Sequence, residues 1–182
     1  MAGKIQEIVD QIGSTCSRIV LGYGLCSNGI VGVKSHAGEM IVPRCHDCIA
    51  FFLGSPQAYL DDFRSRPGSY YLTPGWIAEK KDPLSILREE YVPRYGEETA
   101  EWAKREELKH YTHMVLVDTG VADLEPMRRI ALENARYFGM EYLEIAGKSR
   151  EFFEKLIEGP YPEDEFIRLK PGQAITQDMF ID

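Results

Sequence analysis

Cys26, Cys45, His46 and Cys48 are the residues of this chain whose types and spacing can do chemistry. Cys26 follows Leu21-Gly22-Tyr23-Gly24-Leu25, and the other three stand together in Pro43-Arg44-Cys45-His46-Asp47-Cys48. Thiolates with an imidazole are soft ligands; they suit an iron–sulfur cluster or zinc and disfavour hard cations. Three thiolates would leave an iron of a cubane, or a zinc, open to substrate, whereas closure by His46 would favour a structural zinc. The same residues support a second chemistry. Cys45-His46-Asp47-Cys48 has the Cys-x-x-Cys spacing of a redox motif, and Cys48 at a helix N-terminus would have a lowered pKa, with His46 or Asp47 placed to assist. Without metal, Cys45 and Cys48 could cycle to a disulfide. A third reading is a module that binds a small molecule or an anion through loop N–H groups. A lone Cys-x-x-Cys is often structural, and Cys26 at a neighbouring strand end is what lifts this one above that reading.

The elements that must position these residues follow from periodicity. Ile5, Ile8, Val9 and Ile12 recur as one helix face, with Gly13 as its stop. Arg18 to Tyr23 reads as a buried strand, and Gly24 to Gly29 as the loop leaving it, Gly24 letting the chain turn tightly. Glu39 to Val42 is a second strand that delivers the thiol-rich turn into an apolar helix start at Cys48 to Leu53. Ser55 and Pro56 are the N-cap and first residue of a helix to about Phe63, with Tyr59, Leu60 and Phe63 inward. Ser69 to Thr73 is a third strand, with Pro74-Gly75-Trp76 as its exit loop. Residues 82 to 110 depart from the rhythm as a helical insertion, Asp82-Pro83 opening one helix and Glu97 to Lys109 forming another. His113 to Val117, a helix from about Leu124 to Phe138, Tyr142 to Ala146, a helix capped by Ser149 and a last strand Phe166 to Leu169 complete the alternation.

Strands alternating with crossover helices predict an α/β fold, a mostly parallel sheet of five or six strands with helices on both faces, in one domain over residues 1–182. Ligands of such sheets gather at the C-terminal strand ends. The Cys26 turn with Asn28 and Gly29, the Cys45 to Cys48 turn, the loop of Trp76, Asp118-Thr119-Gly120 and Gly147-Lys148-Ser149 are all placed at that edge. Asn28, Gly29, Asp47, Trp76, Asp118 and Thr119 are therefore the expected pocket residues around the metal set Cys26, Cys45, His46 and Cys48. Asp47 reads equally as the N-cap of the helix beginning at Cys48, and Trp76 as ordinary packing. Cys16 falls outside the set, because a strand of about seven residues at about 3.3 Å each carries it about 20 Å from Cys26. His36, His110 and His113 read as surface or satisfied polar groups. No dinucleotide fingerprint, P-loop or nucleophile elbow occurs.

Composition bounds the rest. Apolar residues at 44% and charged residues at 27% are ordinary globular values, and no apolar run approaches the roughly eighteen residues of a membrane span. A net charge of −8 with 21 scattered basic residues argues against a nucleic-acid backbone as partner. The N-terminus carries no apolar signal core, so a cytoplasmic, reducing address is expected, where clustered cysteines are ligands or redox thiols rather than a disulfide framework. A homo-oligomer is compatible with this composition.

With those residues in place, the chain resembles the uncharacterised domain-of-unknown-function family numbered 1638, mostly from anaerobic archaea and bacteria. The matching stretches are Tyr23-Gly24-Leu25-Cys26-Ser27-Asn28-Gly29, Pro43 to Ile49, Leu53-Gly54-Ser55 and Tyr70-Tyr71-Leu72-Thr73-Pro74-Gly75-Trp76. The family name carries no established activity. Its members often sit near corrinoid-dependent methyl-transfer genes, so the resemblance implies anaerobic metal chemistry, an iron–sulfur cluster ahead of zinc, and a redox or corrinoid protein as partner. Relatives usually begin with a further strand and helix bearing another cysteine, which implies that a ligand is missing here. Many have an apolar residue at the position of Cys45, which leaves Cys26, His46, Asp47 and Cys48 as the family-type set.

Overall fold

The computed structural model describes residues 1–13, 15–121 and 123–180. Its strands are β1 (Arg18–Val20), β2 (Glu39–Pro43), β3 (Ser69–Leu72), β4 (His113–Asp118), β5 (Glu141–Ala146) and β6 (Phe166–Leu169). They form two three-stranded sheets, ordered β1-β2-β6 and β3-β4-β5, rather than the single sheet expected. The class is α/β as anticipated, but only the second sheet is all parallel, since β6 runs antiparallel to β2. The helices are α1 (Ala2–Gly13), α2 (Ile49–Leu53), α3 (Pro56–Ser65), α4 (Pro74–Ala78), α5 (Pro83–Ile86), α6 (Val92–Tyr95), α7 (Glu97–Leu108), α8 (Leu124–Phe138) and α9 (Ser149–Glu158). The chain divides into two compact units, Met1–Tyr59 with Lys148–Asp182, and Leu60–Gly147.

In the first unit β2 is the central strand and is buried on both faces. Because side chains alternate along a strand, Met40 and Val42 join one apolar cluster, with Val9, Ile19, Ile30, Leu169 and Ile175, while Ile41 joins the other. That second cluster holds Cys45, Ala50, Phe51, Phe152, Leu156 and Phe166, with the rings of Phe51 and Phe152 stacked at 5.0 Å. The helix face anticipated in α1 is only half used: Val9 is buried and Ile5 packs on the core, whereas Ile8 and Ile12 are exposed. The parallel step from β1 to β2 is made by turns. Ser55 does cap α3, accepting the Ala58 N–H at 3.0 Å. Ser149 is instead the first residue of α9, following Lys148 at the cap position.

In the second unit β4 lies between β3 and β5, and Met114 to Val117 are fully buried. Leu72, Ile77, Leu108, Met114, Leu116, Ala131 and Ala135 make its core. Pro74-Gly75-Trp76 begins α4 instead of forming a loop, because Thr73 is extended and its hydroxyl accepts the Trp76 N–H, with Pro74 supplying the fixed φ of a first helical residue. The region read as an insertion contains α5, a π-helical turn over Leu87–Tyr91, α6 and α7. It is pinned by a buried polar pair. Asp82 Oδ1 accepts from Ser85 N at 3.1 Å and from Asn134 Nδ2 at 2.7 Å, while Asn134 Oδ1 accepts the Leu84 N–H at 2.8 Å. Asn134→Ala would strand the Leu84 N–H and one bond of Asp82 in the interior, so an expected loss of about 2–4 kcal/mol should appear as a lower urea midpoint.

Candidate functional site: a hydrogen-bonded thiol pair

The turns that carry the thiols leave the C-terminal ends of β1 and β2, which are parallel neighbours. Backbone hydrogen bonds carry that pairing beyond the strands: Leu21 N–H to Ile41 O at 2.9 Å, Leu25 N–H to Cys45 O at 2.8 Å and Cys26 N–H to His46 O at 2.9 Å. Gly24 makes the approach close. A Cβ there would stand 3.0 Å from Cys45 O and 3.3 Å from the Asp47 carbonyl carbon and oxygen. Its φ is not in the left-handed region, so lack of bulk, not the tight turn anticipated, is why glycine fits.

The turn itself is made by three consecutive non-glycine residues with positive φ, Cys26 at 41°, Ser27 at 55° and Asn28 at 65°. They wind one left-handed turn closed by Gly29 N–H on Leu25 O at 2.8 Å. Left-handed helical geometry costs L-residues about 1–2 kcal/mol each, and strain of this kind concentrates where a structure holds a side chain for a task. The Asn28-Gly29 dipeptide was the sequence signal for it, since asparagine tolerates this region better than most residues.

The side chain so held is Cys26. The Cys48 thiol donates a hydrogen bond to the Cys26 sulfur, which brings the Cys26 pKa down to about 7 against the opposing effects of burial and of the Asp47 charge. Cys48 moves the other way, raised first by that same hydrogen bond and then by burial. The Cys26 side chain and burial thus raise Cys48, the direction opposite to the lowering expected from a helix N-terminus. A five-residue helix offers only a small dipole, and Asp47 stands in front of it. Both sulfurs belong to half-buried residues.

The remaining candidates separate. Cys45 is 1% exposed, among Ile41, Phe51 and Phe152, and burial pushes its thiol up. It behaves as a small core residue, so Cys48 finds its thiol partner in Cys26 rather than in Cys45. His46 is exposed, and its carbonyl, not its imidazole, ties it to Cys26. Asp47 caps the first turn of α2 by accepting the Ile49 N–H at 2.8 Å. Asn28 is exposed beside the pair, and Gly29 closes the turn. Cys16 is half-buried and donates to Ile12 O at 3.3 Å.

Trp76, Asp118 and Thr119 belong to the second unit. Trp76 is the third residue of α4, and Asp118 ends β4, its side chain accepting the Gly120 N–H at 2.8 Å and its carbonyl the Gly147 N–H at 2.7 Å. The five loops expected at one edge thus leave two different sheets. Sequence reasoning missed Lys104, which is 2% exposed. Its ammonium stands 2.9 Å from Glu107 Oε2 and 4.3 Å from the centre of the Tyr91 ring. No pattern marked it as buried, because a lysine in a charged helix reads as a solvated one.

Among the described residues, no group of three or more His, Cys, Asp or Glu side chains is placed to hold one metal ion. No described helix is long and apolar enough to cross a membrane.

The chain matches the family described as Protein of unknown function (DUF1638) over residues 1–157 of 182. The chain belongs to that family, as its motifs indicated. Neither the curated proteins nor the solved structures contain a match to it.

Proposed function

We propose that the chain is a dithiol protein in which Cys26 is the attacking thiolate and Cys48 the resolving thiol of disulfide exchange. The observation that carries this reading is that the turns bearing Cys26 and Cys48 leave the ends of the parallel neighbours β1 and β2 and are tied by the Cys26 N–H on His46 O at 2.9 Å, an arrangement in which Cys48 lowers the Cys26 pKa to about 7. Attacking thiols work best with a pKa near the ambient pH, where the thiolate is populated and still nucleophilic. The Cys26 thiolate attacks one sulfur of a partner disulfide, the partner's S–S bond breaks, and the departing sulfur takes a proton from water. Cys48 then gives its proton to solvent and attacks the Cys26 sulfur, releasing the second partner thiol. The dithiol is oxidised by two electrons, and the partner disulfide is reduced to two thiols. Incubation of the reduced protein with oxidised glutathione is expected to remove two titratable thiols per chain with no glutathione retained, and a dithiol reductant should restore both. Glutathione held as a stable mixed disulfide would sink the reading.

A second reading keeps the soft-metal centre, an iron–sulfur cluster or zinc, with a redox or corrinoid protein as partner. It is favoured by two half-buried free thiols on turns that leave neighbouring parallel strands. When bound, the metal would supply Lewis-acid or electron-transfer chemistry. Cys26 and Cys48 would be two of its ligands, and His46, whose carbonyl is fixed to Cys26 N–H, is the residue it would recruit next. Anaerobic purification with metal and sulfide analysis tests it; colourless, metal-free protein contradicts it.

A further inference from the structure

We propose that the outer faces of α7 and α8 dock a second copy of this chain, Trp102 of each copy seating in the α8 groove of the other. The inference concerns the second unit alone and does not depend on the thiol chemistry.

The groove runs along the exposed face of α8. It offers about 640 Å3 and is lined by Arg129, Leu132 and Arg136 with their neighbours Arg128, Glu133 and Tyr137. Its charges differ in how far they are committed. Arg128 is held by Glu125 and Glu144, and Glu133 by Arg88. Arg129 and Arg136 are exposed and have no ion-pair partner among the described residues. An apolar leucine is thus flanked by two guanidiniums that are free to meet a partner.

The complement lies on α7. Trp102 is 67% exposed, more than any other aromatic side chain among the described residues. Residues four apart share a helix face, so Glu98 and Glu106 flank Trp102 as Arg136 and Arg129 flank Leu132. Glu98 is exposed without an ion-pair partner among the described residues, and Glu106 holds only the exposed Lys109. With α7 of one copy antiparallel to α8 of the other, a single register sets Trp102 on Leu132, Glu98 against Arg136 and Glu106 against Arg129. At 1.5 Å per residue the two carboxylates are about 12 Å apart along the axis and the two guanidiniums about 10.5 Å, a match within one residue. Lys109 then falls opposite Glu125 of the second copy. Arg105, the like charge nearest Arg129, is engaged by Glu101 and lies over the Tyr137 ring of its own chain. An indole placed between guanidiniums also gains cation–π attraction as it is desolvated.

A second copy is the occupant because both halves of the match sit side by side on one compact unit. The Tyr137 hydroxyl of α8 donates to Glu101 of α7, which keeps the two helices adjacent. A two-fold axis therefore repeats the contact and closes it as a dimer instead of a filament. At a net charge of −8 per chain, two copies repel at long range, so pairing needs a local match of opposite charges such as this one.

The test is sedimentation velocity of the full chain over a dilution series, with reductant present so that disulfide-linked pairs are excluded. The wild type should pass from monomer to dimer as concentration rises. Trp102→Ala should weaken association by about 30-fold or more, the usual loss at a hot-spot tryptophan. Glu98→Arg and Arg136→Glu should each weaken it by about 10-fold or more, because each sets like charges together. The double variant remakes the pair and should recover association, a result that neither misfolding nor a change in net charge produces. Ile157→Ala, at the exposed apolar residue of α9 in the other unit, should leave association unchanged. A wild type that stays monomeric at the highest concentration, an undiminished dimer in Trp102→Ala, loss in Ile157→Ala, or no recovery in the double variant would overturn the proposal.

Discussion

Cys48→Ala is expected to move the pH midpoint of Cys26 alkylation upward, from about 7 in the wild type to the ordinary thiol value of about 8.5 or beyond. The Cys48 side chain is the largest influence lowering the Cys26 pKa; burial and the Asp47 charge, which raise it, persist in the variant, as do the smaller lowering effects of the Cys48 and Gly24 backbone. At pH 7 the Cys26 thiolate fraction should fall from about one half to about 3%, a drop of about 15-fold. The more basic thiolate is intrinsically more nucleophilic, with a Brønsted coefficient of about 0.4–0.5, which recovers about 5-fold. The rate at pH 7 therefore falls only about 3-fold, and the midpoint is the decisive readout. The sign is fixed: reactivity of wild-type Cys26 rises as pH passes through about 7, and the variant lags it at every lower pH. Stopped-flow alkylation followed by peptide mass analysis measures both curves.

Gly24→Ala should act on the same pair from the other side. The added Cβ would meet only backbone atoms, Cys45 O at 3.0 Å and Asp47 C and O at 3.3 Å, inside a buried contact. Backbone cannot rotate away as a flexible side chain would, so the two turns must separate by a few tenths of an ångström. Overpacking of this kind costs about 1–3 kcal/mol, visible as a lower denaturation midpoint. The functional consequence is a longer Cys48-to-Cys26 hydrogen bond and an alkylation midpoint above about 7, shifted in the same direction as in Cys48→Ala. A variant of unchanged stability with an unchanged midpoint would show that the turns are not held in register through Gly24.

The six strands were legible in the sequence because runs such as His113 to Val117 are short, apolar and bounded by turn residues. Their partners were not. Period and length identify a strand, but nothing in Phe166 to Leu169 states that it returns antiparallel to β2, nor in Ser69 to Leu72 that it pairs with β4. The expectation of one sheet came from reading alternation as continuity. The site was legible in part for a similar reason. Cys26, Cys45 and Cys48 stood out by type, and the parallel neighbours β1 and β2 bring their turns together as expected. Which thiols meet depends on side-chain direction: Cys45 points into the apolar cluster of Phe51 and Phe152, leaving Cys48 for Cys26. The sequence already pointed to Cys26 and Cys48 as the core of the site, with Cys45 and His46 competing as further ligands; only the alternative redox reading paired Cys45 with Cys48. The left-handed run at Cys26 and Ser27 was the least legible feature, because neither residue type favours positive φ; only Asn28-Gly29 hinted at it.

The central claim is that Cys26 and Cys48 act together as one dithiol, and the most direct test is to identify which sulfurs join. Reduced protein is equilibrated with oxidised glutathione, the remaining thiols are blocked at low pH, and the digested chain is mapped by mass spectrometry. The expected product is a single cross-linked species joining the peptides of Cys26 and Cys48, with Cys16 and Cys45 alkylated. A Cys45–Cys48 disulfide, or Cys26 recovered only as its glutathione adduct, would contradict the account.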